Sequence, residues 1–352
     1  MPKIDDIEPL VRPNIQSLIP YRSARDDFDK GILLDANENS LGSPMRHKEQ
    51  LHRYPSPVHN RLRETIASYR GVLKENIFTG VGSDEAIDLL IRIFCVPGED
   101  SIMITPPTYG MYKVSAAIND VGIQEVQLDE DFQPDAQKIL AARSAKTKLL
   151  FLCSPNNPTA NDLNRIEILK LIELFPGIVV VDEAYIDFSR QESMAEVLPQ
   201  YPNLVVLQTF SKAFGLAGIR LGIALANSPV IEYMLKIKAP YNLNRLTAQA
   251  ALEAFEHKDL IRVNIEKIIE EREYLVEQLN QAPTVEKVYP SNANFILFRI
   301  RNAKEIYRRL ADNGIIVRYR GDQTGCEDCL RVTVGMPDEN VRFLKTLKEI
   351  TL

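Results

Sequence analysis

The most constraining stretch of this chain is Ile178-Val179-Val180-Val181-Asp182, four β-branched residues running straight into a carboxylate. A run with no polar alternation reads as a strand buried on both faces of a sheet. Comparable short apolar runs predict strands over Ser101–Thr105, Gly122–Leu128, Lys148–Cys153, Leu204–Gln208 and Gly222–Ala226. Between them, apolar spacing predicts helices over Asp84–Phe94, Gln133–Ala142, Ile166–Glu173 and Ala195–Leu198. Strands alternating with helices imply an α/β fold with a mainly parallel sheet and helices on both faces. Ligands of such sheets sit beyond the carboxyl ends of the strands. The chain's polar motifs fall there.

The 352 residues suffice for one large domain and a smaller one. Residues 1–44 are polar and broken by proline, and read as an extended N-terminal arm expected to pack with the small domain. A second irregular stretch, Arg53-Tyr54-Pro55-Ser56-Pro57, precedes a helix expected from Asn60 to Tyr69. The large domain is expected over 45–244 and the small C-terminal domain over 245–352. The latter reads as a long helical segment (Arg245 to Gln281), a strand (Phe295–Arg299), a helix (Ala303–Asn313), two strands (Ile315–Arg318 and Leu330–Val334) and a last helix (Asp338–Ile350).

A net charge of −6 argues against nucleic acid as a partner, because a phosphate backbone needs a basic face. No apolar run approaches the roughly 18 residues of a membrane span, and the start Met1-Pro2-Lys3-Ile4-Asp5-Asp6 lacks a signal-peptide core, so a cytoplasmic setting is expected. His47, His52, His59 and His257 have no metal-ligand or triad spacing, and no metal is expected. Cys326-Glu327-Asp328-Cys329 is a single CxxC without a second pair or nearby histidines, and reads as a surface turn rather than a zinc site.

The chemistry concentrates in Thr209-Phe210-Ser211-Lys212-Ala213-Phe214-Gly215, with Arg220 eight residues beyond the lysine. Lys212 follows a buried strand, among small residues. Desolvation there lowers the ammonium pKa and leaves an amine able to form a Schiff base with a carbonyl. Ser211 and Arg220 both suit an anion. An aldehyde and a phosphate on one ligand suggest pyridoxal 5′-phosphate (PLP). Gly80-Val81-Gly82-Ser83-Asp84 opens a helix, with Ser83 expected as its N-cap and free amides expected to bind phosphate. Tyr109, after the strand at 101–105, offers a ring for stacking on a planar cofactor. Asn157 precedes a proline after the strand at 148–153 and can donate a hydrogen bond. Asp182 is costly to desolvate unless paired, and the pyridinium nitrogen of PLP is a partner that makes the ring an electron sink. Taken singly, each has an ordinary reading: a capped helix, a packed turn, a surface lysine. Their shared position at strand ends favours one site.

The segments Pro155-Asn156-Asn157-Pro158-Thr159, Asp182-Glu183-Ala184-Tyr185 and Ser211 through Arg220 closely resemble signatures of the fold-type I PLP-dependent aminotransferases. Within that family the chain is similar to the histidinol-phosphate aminotransferases. The closer likeness rests on Arg12-Pro13-Asn14, Pro20-Tyr21, Leu34-Asp35-Ala36-Asn37-Glu38, Arg53-Tyr54-Pro55, Asp182 through Phe188, Asn294-Phe295 and Leu330 through Gly335, and spans essentially the whole chain. Ala160 departs from the glycine usual after Asn-Pro-Thr. The resemblance implies a seven-stranded, mainly parallel sheet in the large domain, and a homodimer with a shared active site. It implies that Lys212 carries PLP as a covalent Schiff base and moves the substrate proton, and that Asp182 pairs with the ring nitrogen. Tyr185 and Asn157 would then hold the phenolic oxygen, and Tyr109 would stack on the ring. Ser83, Asp84, Ser211 and Arg220 would hold the phosphate, with Tyr54 reaching in from the partner. Arg331 and Arg318 would read the anionic end of either substrate, with Tyr21 and Asn37 lining that side. The implied substrates are histidinol phosphate and 2-oxoglutarate, the latter becoming glutamate. Aromatic amino-acid transamination and decarboxylation of a phosphorylated amino acid are alternatives on similar scaffolds. A PLP-binding sensor domain would need a helix-turn-helix module, for which the arm is too short and broken.

Overall fold

The computed structural model describes residues 4–28, 30–45 and 50–351; His47 lies outside them. Seven strands form one sheet: β1 (Ile77–Val81), β2 (Ser101–Ile104), β3 (Gly122–Glu125), β4 (Thr147–Cys153), β5 (Ile178–Asp182), β6 (Leu204–Thr209) and β7 (Leu221–Ala226). Their spatial order is β1-β7-β6-β5-β4-β2-β3. Pairing is parallel from β3 through β6, and β7 is antiparallel to both its neighbours. The unalternated apolar runs have the expected cause. Val179 and Val181 enter one core, Ile178 and Val180 the other, and β4 and β6 divide their side chains likewise. Both faces are covered, as a parallel sheet requires.

A second, antiparallel sheet has the order β10-β11-β9-β8, from β8 (Val285–Val288), β9 (Phe295–Ile300), β10 (Arg318–Tyr319) and β11 (Cys329–Thr333). One face of β9 (Ile296, Phe298, Ile300) packs in a core of its own with Leu310, Phe343 and Leu347. Its other face (Phe295, Leu297) enters the core of the large sheet. β11 lies beside β9, with Arg331 opposite Leu297. This packing brings the small sheet's arginines to the large sheet's edge.

Several expectations need correction. β1, β8 and the helices Met111–Ile118 and Ser228–Ile237 escaped the periodicity reading. The expected strand at 315–318 shrinks to Arg318–Tyr319 because the Ile315 amide instead closes the preceding helix on Leu310 O, at 2.9 Å. The long helical segment is two helices, Arg245–Glu256 and Lys258–Gln281, divided at His257. Ser83 is not the N-cap: its helix begins at Gly82 and no side chain caps it. The arm's Ile7 and Val11 join the large sheet's core, and Arg12 bonds to the carbonyls of Arg92 and Ile93. This part of the arm therefore packs on the large sheet's helices and not on the small sheet, because its apolar pair finds a seat there. Residues 326–329 do form the expected turn, with Glu327 and Asp328 exposed and the Cys329 amide donating to Cys326 O at 3.0 Å, but the two cysteines point inward. Both are fully buried free thiols in the main core, and burial pushes Cys326 up to about 12.

Candidate active site

A cleft of about 580 Å³ opens beyond the carboxyl ends of β4, β5 and β6, and is closed on its far side by the small sheet. At one end is an anion cup. Gly82 opens its helix with φ +71, and an added methyl there would lie 2.6 Å from Arg220 Nη2. A methyl on Gly222 would lie 2.1 Å from the Ser83 amide nitrogen, so β7 and the helix start touch through backbone alone. Arg220, itself left-handed at φ 55, donates to Ser211 Oγ at 3.3 Å and to Ala217 O at 3.2 Å. Its Nη2 stands 3.7 Å from Asp84 Oδ2. An uncapped helix start, a hydroxyl and a guanidinium are what a phosphate monoester needs.

Asp182 ends β5 at 2% exposure. Burial pushes its carboxyl up to about 6, against hydrogen bonds that favour the charged form. Those come from Tyr112 Oη to Oδ2 at 2.7 Å and from the Ala184 amide to Oδ1 at 3.1 Å. Among the described residues it has no ion-pair partner, so a buried carboxylate waits for a cationic hydrogen-bond donor. Tyr112 was not legible as a site residue, since its helix was missed. The available signal was a second tyrosine three residues after Tyr109, because a buried phenol needs a partner. Tyr109 donates to Asp84 Oδ1 at 3.1 Å and meets Tyr112 edge-on, ring centroids 5.5 Å apart. Lys212 is half-buried, with Nζ 5.4 Å from the Tyr185 ring centroid. Burial, then the charge of Arg331, lowers its ammonium pKa, while Asp182 and Asp84 oppose that. The result is an amine more readily deprotonated than a surface lysine.

On the small-sheet side, Arg331 donates to Asn157 Oδ1 at 2.5 Å and lies 5.0 Å from the Phe295 ring centroid. That leaves Asn157 Nδ2 without an acceptor among the described residues. Tyr185, buried, packs edge-on against Phe295 at 5.0 Å and lines the cleft beside Asn157. Arg318 faces Arg331 across the β10–β11 pairing. Arg320 joins them in the lining, a residue the sequence reading passed over. Its signal was the two-residue step from Arg318, which keeps side chains on one side of an extended chain.

Three expected residues are not brought to this cleft. Tyr54 is stacked on Tyr241, ring centroids 4.5 Å apart, in a separate hollow beside Arg245. Tyr21 is 74% exposed. Asn37 lies in the arm at φ 54, and neither it nor Tyr21 lines the cleft.

The aminotransferase class I and II family matches residues 29–345. A curated relative, the histidinol-phosphate aminotransferase of Cytophaga hutchinsonii, is 47% identical over 344 residues, covering 97% of this chain and 98% of that protein. Among solved structures, the histidinol-phosphate aminotransferase of Clostridium acetobutylicum matches with a TM-score of 0.78 at 25% identity, covering 85% and 91% of the two chains. That of Sinorhizobium meliloti, in complex with pyridoxal-5′-phosphate, matches with a TM-score of 0.80 at 24% identity over 90% and 89%. On the extent of these matches, the chain belongs to the class I and II aminotransferase family.

Proposed function

We propose that this chain is a PLP-dependent aminotransferase that moves the amino group of L-histidinol phosphate to 2-oxoglutarate, giving imidazole acetol phosphate and L-glutamate. The substrate reading rests on full-length relatives such as the one from Cytophaga hutchinsonii. The observation that carries the chemistry is Asp182, a buried carboxylate with no ion-pair partner among the described residues, sharing one cleft with a half-buried lysine. These residues fit PLP. When bound, PLP supplies an aldehyde that captures amines and a protonated ring that accepts the electron pair left as a Cα–H bond breaks.

The chain's side chains do the rest. Lys212 would hold the cofactor at its aldehyde carbon, and its amine would serve as the base that carries the substrate's Cα proton. Asp182 keeps the ring nitrogen protonated, and Tyr112 fixes the orientation of that carboxylate. Asn157 Nδ2 and the Tyr185 hydroxyl hold the phenolic oxygen. Tyr109 would cover the ring, and the Ser83–Asp84 amides, Ser211 and Arg220 would anchor the phosphate. Arg331 and Arg318 receive the distal anion: the phosphate of one donor, a carboxylate of the other. Tyr54, with Tyr21 and Asn37 from the arm, serves the neighbouring subunit of a homodimer, which accounts for their distance from the cleft of their own chain. We divide the chain into the arm (1–44), a large domain (45–244) and a small domain (245–352), working in the cytoplasm; among the described residues no helix is long and apolar enough to cross a membrane.

The test is a single half-reaction. Holoenzyme is mixed with L-histidinol phosphate and no keto acid, and the visible absorption of the bound cofactor is followed. Phenylalanine is run in parallel. Fast loss of the band with histidinol phosphate alone supports the reading. Preference for phenylalanine, or release of carbon dioxide, overturns it.

A further inference from the structure

Three guanidinium groups, those of Arg318, Arg320 and Arg331, line one end of the cleft. Among the described residues none of the three has a carboxylate within ion-pair distance, whereas Arg53 and Arg70 each have one and Arg25 has two. Arg331 pays part of its solvation cost through Asn157 and the Phe295 ring. Arg320 has no such relief. Among the described residues its Nε is buried without an acceptor, and the Oε1 of Gln323, in the same lining, is buried without a donor. Burial and the charge of Arg318 lower the Arg320 pKa; burial and the charge of Arg320 lower Arg331 to about 10. Like charges gathered in a cleft without counter-ions are costly, and a ligand that brings the missing negative charge removes the cost. One carboxylate of a keto acid supplies one charge. A phosphate monoester supplies nearly two, with three acceptor oxygens.

We propose that Arg320 is the specificity-determining donor that tunes this end of the cleft to a phosphate dianion over a carboxylate. The inference rests on the functional reading above and deepens it. Arg318 and Arg331 suffice for a carboxylate. The third guanidinium has an anionic partner only when the distal group carries the second charge.

The test uses holoenzyme, so that the cofactor's own phosphate cup is filled, and two variants, Arg320→Gln and Arg320→Lys. Half-reaction constants are measured with L-histidinol phosphate and with L-glutamate, and inorganic phosphate is titrated as a competitor of the glutamate half-reaction. Losing a hydrogen bond between charged groups predicts a fall of about tenfold to a hundredfold in kcat/KM for histidinol phosphate in Arg320→Gln. The glutamate value should change less than about threefold, and phosphate should compete about tenfold more weakly. Arg320→Lys, which keeps the charge and loses the fork, should fall between the two. The cofactor's visible spectrum and the melting temperature of the variants check that the fold is intact. Equal losses for both amino donors, or unchanged competition by phosphate, overturn the assignment. If the wild-type enzyme ignores histidinol phosphate, the functional reading fails separately. The phosphate competition then still decides the role of Arg320.

Discussion

The Tyr112 hydroxyl donates to Asp182 Oδ2 across 2.7 Å, with both side chains shut off from solvent. The tyrosine ring is fixed for this task by stacking on Phe151, ring centroids 4.8 Å apart at 18°. The carboxylate that would face the ring nitrogen of PLP is thus already aimed and held charged by a neighbour. Tyr112→Phe keeps the ring and removes the donor. A hydrogen bond to a charged group is worth about 1.5 kcal/mol or more, so the dissociation constant of PLP should rise about tenfold. The acid limb of the kcat/KM profile should also move to higher pH. Equilibrium titration of the cofactor-free variant measures the first effect, and an unchanged constant would remove Tyr112 from the machinery.

Asp182 also sets a pH dependence that can be read without activity. Its carboxyl rises from an ordinary value to about 6 because it is buried. The cofactor-free fold therefore binds this proton more tightly than the unfolded chain does. That stabilisation is complete below about pH 4 and is lost as pH rises through about 6. Asp182→Asn removes the ionisation and keeps an acceptor for Tyr112. At pH 7 the cofactor-free variant should be more stable than wild type by on the order of 1–3 kcal/mol, with the gap closing towards pH 4. Urea unfolding at several pH values checks it. With PLP bound the order of stability should invert, because the neutral amide cannot hold the ring nitrogen protonated. A gap independent of pH would contradict the burial argument.

Lys212→Ala should lower transamination by a factor of about 10³ or more, since the covalent anchor and the proton carrier go together. The phosphate cup and Asp182 are untouched, so PLP should still bind. Borohydride treatment followed by mass measurement separates these statements: a cofactor adduct on the wild-type chain, none on the variant. Full turnover by the variant would contradict the assignment.

The sheet and the residues at its strand ends were readable because β4, β5 and β6 are apolar on both faces and each ends in a polar group at a fixed place. What stayed hidden has physical causes. Tyr112 matters through one contact made 70 residues away in sequence, and no periodicity reports that. Arg320 sits in an irregular return after a two-residue strand. The CxxC turn was readable from its polar middle residues Glu327 and Asp328, whereas the inward aim of both thiols depends on packing that no local pattern reports. Ala160 was visible as a departure from glycine, and its backbone does adopt the left-handed φ of 68 that glycine prefers. Its amide bonds to Asn156 O at 2.8 Å and its carbonyl accepts from the Asn292 amide at 2.7 Å, so the turn is held despite the methyl.

The position of Tyr54 gives the sharpest test of a shared site. Its amide donates to Glu38 Oε1 at 2.7 Å, and the same carboxylate takes Arg25 at 2.7 Å and Arg53 at 2.6 Å. Glu38 is buried at 3% side-chain exposure, so this knot fastens Tyr54 outside its own cleft while leaving the ring half exposed. If Tyr54 acts across a dimer, Tyr54→Ala should weaken PLP binding although its own chain's cleft is unaltered. Mixed dimers decide the matter. One chain carries Lys212→Ala and the other Tyr54→Ala, and the subunits are exchanged. In a shared arrangement, one site of each mixed dimer combines the intact Lys212 of one chain with the intact Tyr54 of the other. Activity and tight cofactor binding should then return in that site, up to half the wild-type value per dimer. If Tyr54 served its own chain, no mixed site would hold both groups, and mixing would restore nothing.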